Sequence, residues 1–127
     1  MHTAIEALLI KRADSNNLWQ SVTGSLEWGE SVDAAAVREL REETGLRSAS
    51  LRATGIRRRY TIVDKWKARY HPNVVCNYET LFYCSLEARA DICLNRSEHT
   101  DFIWTPLSEA SKKVFFWTNR LAIKNLI

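Results

Sequence analysis

The sequence predicts an α+β (α/β) domain in which a mixed sheet is flanked by helices. Three observations carry that expectation. At 127 residues the chain has the length of one domain. Short runs rich in β-branched and aromatic residues alternate with stretches of helix-compatible residues. One of those stretches, residues 32–44, is bounded by a capping serine and a closing glycine. A chain of this size buries roughly two-thirds of the surface its unfolded form exposes, which suffices for one core.

Residues 4–10 form a short apolar run and read as a strand. A polar turn follows at 14–17, and residues 18–23 return as a second extended piece. Ser31 can accept the free N–H groups of a helix start, and Gly45 sits where a left-handed closing residue belongs. Residues 51–63 and 74–86 read as strands. In the second of these, Thr80, Phe82, Cys84 and Leu86 alternate with Leu81 and Tyr83, a pattern of burial on both faces. Residues 102–104 read as a short strand, and Thr105-Pro106 opens a short helix with proline at its first position. Residues 113–127 read as one final amphipathic helix. No repeat, linker or low-complexity stretch interrupts the chain.

Hydrophobic residues at 46% and charged residues at 26% fit a soluble globular protein. The five tryptophans read as half-buried ring anchors, one or two of them available to line a pocket for a flat ligand. A net charge of +3 does not indicate nucleic acid. Its distribution says more. Glu30, Asp33, Glu39, Glu42 and Glu43 face only Arg38 and Arg41, whereas Arg57, Arg58, Arg59, Lys65, Lys67 and Arg69 face only Asp64. The two segments suit a bound metal beside a bound polyanion, or are two solvated faces. Cys76, Cys84 and Cys93 are odd in number and form no CxxC, so neither a disulfide framework nor a zinc knuckle is expected. Cys84 reads as core. His2, His71 and His99 are too scattered for a metal cluster. No signal peptide and no apolar run of about 18 residues is present, so the expectation is a cytoplasmic protein, with no membrane partner.

The chemistry concentrates in the helix at 32–44. Glu39 lies one turn from both Glu42 and Glu43, so three carboxylates converge on one stripe beside the apolar stripe of Ala36, Val37 and Leu40. Like charges at this spacing repel by a few tenths of a kcal/mol per pair. Mg²⁺ reverses that sign, since it takes oxygen ligands and leaves positions for water and phosphate. Arg38, four residues before Glu42, can hold that carboxylate in orientation. Taken alone, three glutamates on a helix are a solvated acidic face. The flanking residues decide otherwise: Gly24, Glu30, Arg38-Glu39, Leu40, Glu42-Glu43, Gly45 and Leu46 reproduce the Nudix box over residues 24–46 without a departure.

The chain therefore resembles the Nudix hydrolases, with residues 1–127 as one domain of the α/β/α sandwich type. The resemblance implies that Glu39 and Glu43 are metal ligands and that Glu42 is a further ligand or the base orienting water. Gly24 would offer its backbone carbonyl, and Glu30 would brace the loop. The implied cofactor is Mg²⁺, with Mn²⁺ able to substitute.

A narrower similarity, to bacterial dihydroneopterin triphosphate diphosphatases, rests on residues 18–25, Arg69-Tyr70-His71-Pro72, Asn77-Tyr78-Glu79, Ser97-Glu98-His99 with Trp104, and residues 117–123. It implies removal of pyrophosphate from 7,8-dihydroneopterin 3′-triphosphate in folate biosynthesis. It also implies substrate contacts from Arg12, Thr23, Tyr60, Thr61, Ile62, Val63, His99 and Phe116, and Glu98 as the metal ligand outside the box. Each has a plainer alternative: Glu98 and His99 as surface, Phe116 as core, the arginines of 57–69 as solubilising an edge strand. Members of that family carry a strand and turn before the run at 4–10, so the first strand is expected to be lacking here. A broader nucleoside or oxidised-nucleotide triphosphate diphosphatase is the alternative activity. A non-catalytic nucleotide-sensing Nudix domain is a third reading, opposed by the intact Glu39, Glu42 and Glu43. A monomer acting on a small-molecule triphosphate is expected.

Overall fold

Leu9 and Ile10 are neighbours and both are fully buried. Successive residues of a strand point to opposite faces, so the strand that carries them must be covered on both sides. The computed structural model describes residues 5–24, 26–47, 51–61 and 76–126, and β1 (Glu6–Arg12) is that strand. It runs between β2 (Trp19–Gln20) and β5 (His99–Pro106), antiparallel to both.

Register divides the two faces. Leu9, Trp19 and Ile103 share one, where Leu107, Ala110, Val114 and Ile123 complete the apolar core. The last four lie on or beside α2 (Leu107–Lys113) and α3 (Trp117–Lys124), which therefore cover that face. Ile10, Gln20 and Arg12 lie on the other face, with His99 opposite Arg12 at a register shift. There α1 (Val32–Thr44) makes the cover, its buried Glu43 bonded to His99. Helix, sheet and helices stack in that order, which is the α/β/α arrangement the sequence predicts.

A second, two-stranded antiparallel sheet joins β3 (Leu51–Thr61) to β4 (Cys76–Cys84), with a bulge between Ala53 and Arg57. It is fastened to α3 by the Tyr83 hydroxyl, which donates to the Ala122 carbonyl at 2.8 Å, and by Thr118, which donates to Glu79 at 3.2 Å. All pairings of named strands among the described residues are antiparallel; an isolated bridge from Trp19 to Val114 is parallel.

Several expected boundaries move. β1 starts and ends two residues later than the apolar run, because Lys11 and Arg12 pair with β2 and β5. The second extended piece narrows to Trp19–Gln20. β5 extends the expected 102–104 in both directions, since pairing with β1 recruits the polar His99, Thr100 and Asp101. Pro106 precedes α2 as its N-cap and is the last residue of β5. The expected helix at 113–127 is two pieces: Lys113 ends α2, Val114 is extended and 2% exposed, and α3 begins at Trp117. Burial on both faces of β4 is not found, since Thr80 and Leu86 are exposed and Phe82, Cys84, Leu81 and Tyr83 half-buried. Cys84 is thus at the margin of the core. The helix anchor is Ala35, Leu40 and Thr44, while Val37 is 39% exposed. Trp19 is the buried ring anchor expected, but Trp28 stands wholly in solvent. The ends of the expected strands at 62–63 and 74–75 lie outside the described residues. Among the described residues no helix is long and apolar enough to cross a membrane.

Candidate active site

α1 is defined by its ends. The Ser31 side chain accepts the Ala34 N–H at 3.1 Å, satisfying one of the free donors of the first turn. Gly45 closes it at φ 76°, a conformation that costs a side chain strain, and its N–H returns to the Arg41 carbonyl. Helix position is therefore set from both sides, which fixes where its carboxylates point.

Arg38 is the hub of the side turned to the loop. Its Nε and Nη2 donate to the two oxygens of Glu30 at 2.8 and 2.9 Å, a bidentate pair across the loop. Its Nη1 donates to Glu39 at 2.7 Å and to Glu42 at 3.1 Å. The Arg38 bonds, with the Glu27 N–H, hold the Glu30 carboxyl down at about 2, and the same bonds hold the guanidinium above its ordinary value. Glu30 also accepts the Glu27 N–H at 3.1 Å, so the loop is tied to the helix through one carboxylate. Gly24 lies against the end of Glu39: a Cβ placed there would overlap the Glu39 Cγ, Cδ and Oε2. Glycine is required by this approach rather than by backbone twist.

Glu43 faces inward. It is buried, and its Oε2 lies 2.8 Å from Nδ1 of the buried His99. Burial first, then the charges of Glu98, Glu39 and Glu42, push its carboxyl up to about 7. Burial, and next the Arg12 charge, push the His99 imidazole down. The other ring nitrogen of His99 lies 3.1 Å from the Gln20 amide nitrogen. Gln20 in turn lies 3.5 Å from the Thr23 hydroxyl and 3.4 Å from Arg12 Nη1. Arg12 is held by both oxygens of Asp14 at 2.7 and 2.8 Å, and a small cavity of about 120 Å³ is lined by Arg12, Asp14, Ser97 and Glu98.

Glu43, whose carboxyl is raised by burial and by the charges of Glu98, Glu39 and Glu42, marks a cluster with more negative charge than its own arginine neutralises. A divalent cation relieves that excess, so this donor set fits one. Among the described residues no three His, Cys, Asp or Glu side chains are grouped closely enough to hold a metal ion by themselves. An open site with one or two carboxylates and remaining positions for water and phosphate is the arrangement hard Mg²⁺-type cations use.

The NUDIX domain profile matches residues 2–126. The chain belongs to the NUDIX family. It is 33% identical over 124 residues to the dihydroneopterin triphosphate diphosphatase of Escherichia coli K12, covering 94% of this chain and 81% of that one. The enzyme of the same name from Haemophilus influenzae is 32% identical over 124 residues, covering 94% and 77%. The solved E. coli dihydroneopterin triphosphate pyrophosphohydrolase superposes with a TM-score of 0.90 at 31% identity, covering 96% of this chain and 85% of that one. A Listeria monocytogenes NUDIX hydrolase superposes at 0.78 with 20% identity, covering 95% and 80%, a likeness of fold alone. This NUDIX chain is accordingly a hydrolase, and the family generally uses divalent metal ions.

The expected site residues of this NUDIX hydrolase fall into three groups. Arg38, Glu39, Glu42 and Gly24 meet where the loop lies against α1. Glu43, His99, Arg12 and Thr23 meet through Gln20, and Glu98 lines the cavity beside Arg12. Tyr60 is half-buried on β3 and Phe116 half-buried ahead of α3, on elements other than those carrying the carboxylates. Thr61 ends β3, and Ile62 and Val63 lie outside the described residues. His99 is not surface; it is 3% exposed. Gln20 is missing from the sequence reading. Its one signal is a polar residue on the short strand just before Gly24.

Proposed function

We propose that this hydrolase is a Mg²⁺-dependent diphosphohydrolase that converts 7,8-dihydroneopterin 3′-triphosphate to dihydroneopterin monophosphate and pyrophosphate, an early step of folate biosynthesis. The observation that carries it is the 33% identity, over 94% of the chain, to an enzyme named for that substrate. The grouping of Arg12, Thr23, Glu98 and His99 around one polar network beside the carboxylate helix supports it.

In this reading Glu39, Glu43 and Glu98, with the Gly24 carbonyl, hold the cation, and Mn²⁺ substitutes for Mg²⁺. A divalent cation held there would lower the pKa of a water and offset charge on the substrate phosphates. Glu42 is the group free to take the proton of the attacking water, because Arg38 steadies only one of its oxygens at 3.1 Å. Arg38 also keeps Glu30 and Glu39 from splaying apart. Arg12, held flat by Asp14, presents a fixed guanidinium to a phosphate. Thr23, Tyr60, Thr61, Ile62, Val63, His99 and Phe116 form the remaining substrate contacts.

The test is product analysis of the Mg²⁺ reaction by anion-exchange chromatography. Monophosphate and pyrophosphate in equal amounts are expected. Orthophosphate as the sole inorganic product, with pyrophosphatase excluded, refutes the cleavage position.

A further inference from the structure

Gln20 is 1% exposed and sits at the junction of three side chains, those of Arg12, Thr23 and His99. Arginine has donors only, so the Gln20 atom facing Arg12 Nη1 at 3.4 Å is its carbonyl oxygen. The amide nitrogen is thereby aimed at the Thr23 hydroxyl at 3.5 Å and at His99 Nε2 at 3.1 Å. An amide nitrogen only donates, so His99 Nε2 must accept and the ring proton resides on Nδ1. That proton points at Glu43 Oε2, 2.8 Å away. With Glu43 ionised, the opposite tautomer would place two donors face to face at Gln20 and two acceptors face to face at Glu43. One amide orientation, dictated by Arg12, thus propagates through two rigid groups to a carboxylate on another element.

We propose that Gln20 is a positioning residue: it locks His99 as the Nδ1–H tautomer, which holds Glu43 Oε2 and leaves Oε1 turned for the cation. The inference rests on the reading of Glu43 as a metal ligand, and extends it to a residue that touches neither cation nor reacting atoms. Partners of this kind behind a ligand commonly control cation affinity by about 10–100-fold.

The experiment has two arms. The metal-free ¹⁵N-labelled protein is observed at pH 8 by ring ¹⁵N–¹H correlation, with His99 told from His2 and His71 by its loss in His99→Asn. The Nδ1–H pattern is expected, and the Nε2–H pattern in wild type overturns the proposal without need of a variant. Mn²⁺ affinity is then measured by EPR for wild type, Gln20→Glu and Glu43→Gln. Gln20→Glu replaces the donor with an acceptor of the same size, so the neutral ring must carry its one proton on Nε2, a shift the same ring correlation reads at pH 8. Added negative charge alone would tighten cation binding, so the expected loss of about tenfold has the sign of lost orientation. Unchanged or tighter binding in Gln20→Glu, with Glu43→Gln weakened, overturns the proposal alone. Unchanged binding in Glu43→Gln overturns the ligand reading beneath it, and the proposal with it.

Discussion

Gly24→Ala separates catalysis from stability more cleanly than removal of any carboxylate. The added methyl falls on the last atoms of the Glu39 side chain, so the carboxylate must swing aside to reach an ordinary contact. The moving group is the end of a flexible side chain on α1, and Gly24, on an exposed loop, does not hold a left-handed conformation. Folding therefore loses little, and the stiffer unfolded chain adds stability of about 0.4–1 kcal/mol. Catalysis is another matter, because Glu39 is displaced from its 2.7 Å bond to Arg38 and, on the proposed ligand reading, from the cation. A misplacement of about 1 Å at a reacting centre costs on the order of 10²-fold. The assay pairs pyrophosphate release at saturating Mg²⁺ with a calorimetric Tm of the metal-free protein. The expected result is a kcat lower by about 10²-fold or more at an unchanged or slightly raised Tm. Wild-type turnover, or a fall in Tm that accounts for the lost activity, would refute the role given to this contact.

Glu39→Gln and Glu42→Gln are each expected to lower turnover by about 10²-fold or more with an intact circular dichroism spectrum; near-normal turnover in both, at saturating Mg²⁺, removes the helix from catalysis. The metal-free protein is expected to lose stability relative to Glu43→Gln as pH rises from about 4.5 through about 7. Glu43 titrates at 4.5 when unfolded and at about 7 when folded, so the native state binds the extra proton in that window and its advantage disappears above it. Urea melts of both proteins from pH 4 to 8 check this, and a constant difference between them contradicts it. Glu30 acts in the opposite sense: its folded carboxyl lies at about 2, so its contribution is present above 4.5 and is lost as pH falls toward 2. Arg38→Ala should erase that acid-side loss, seen as a flatter stability curve below pH 4.5.

The helix α1 was legible to the residue, because its signals are local: Ser31 and Gly45 act within one turn of the ends they define. The α2–α3 break was not, because tertiary pairing makes it. Val114 is drawn into a bridge with Trp19, and the Phe115 N–H donates to the Trp19 carbonyl at 3.1 Å. The run Val114-Phe115-Phe116-Trp117 carried a hint, being rich in residues that favour extended backbone. The ends of β5 escaped for a related reason, since His99 and Asp101 join the strand expected at 102–104 only because β1 offers the partners. At the site, the carboxylates of α1 stood out only when their spacing of three and four residues was read together with Gly24, Glu30, Arg38 and Gly45. Gln20 did not, for its importance lies in bonds to residues 3, 8 and 79 positions away. One sequence does not reveal that meeting.

The most direct measurement is kcat/KM for pyrophosphate release from 7,8-dihydroneopterin 3′-triphosphate, set against the common and 8-oxidised nucleoside triphosphates, with Mg²⁺ and with EDTA. The prediction is a preference for the pteridine of at least tenfold and no activity in EDTA. An equal or higher kcat/KM for any nucleotide contradicts the substrate, and undiminished hydrolysis in EDTA contradicts the cation-dependent chemistry.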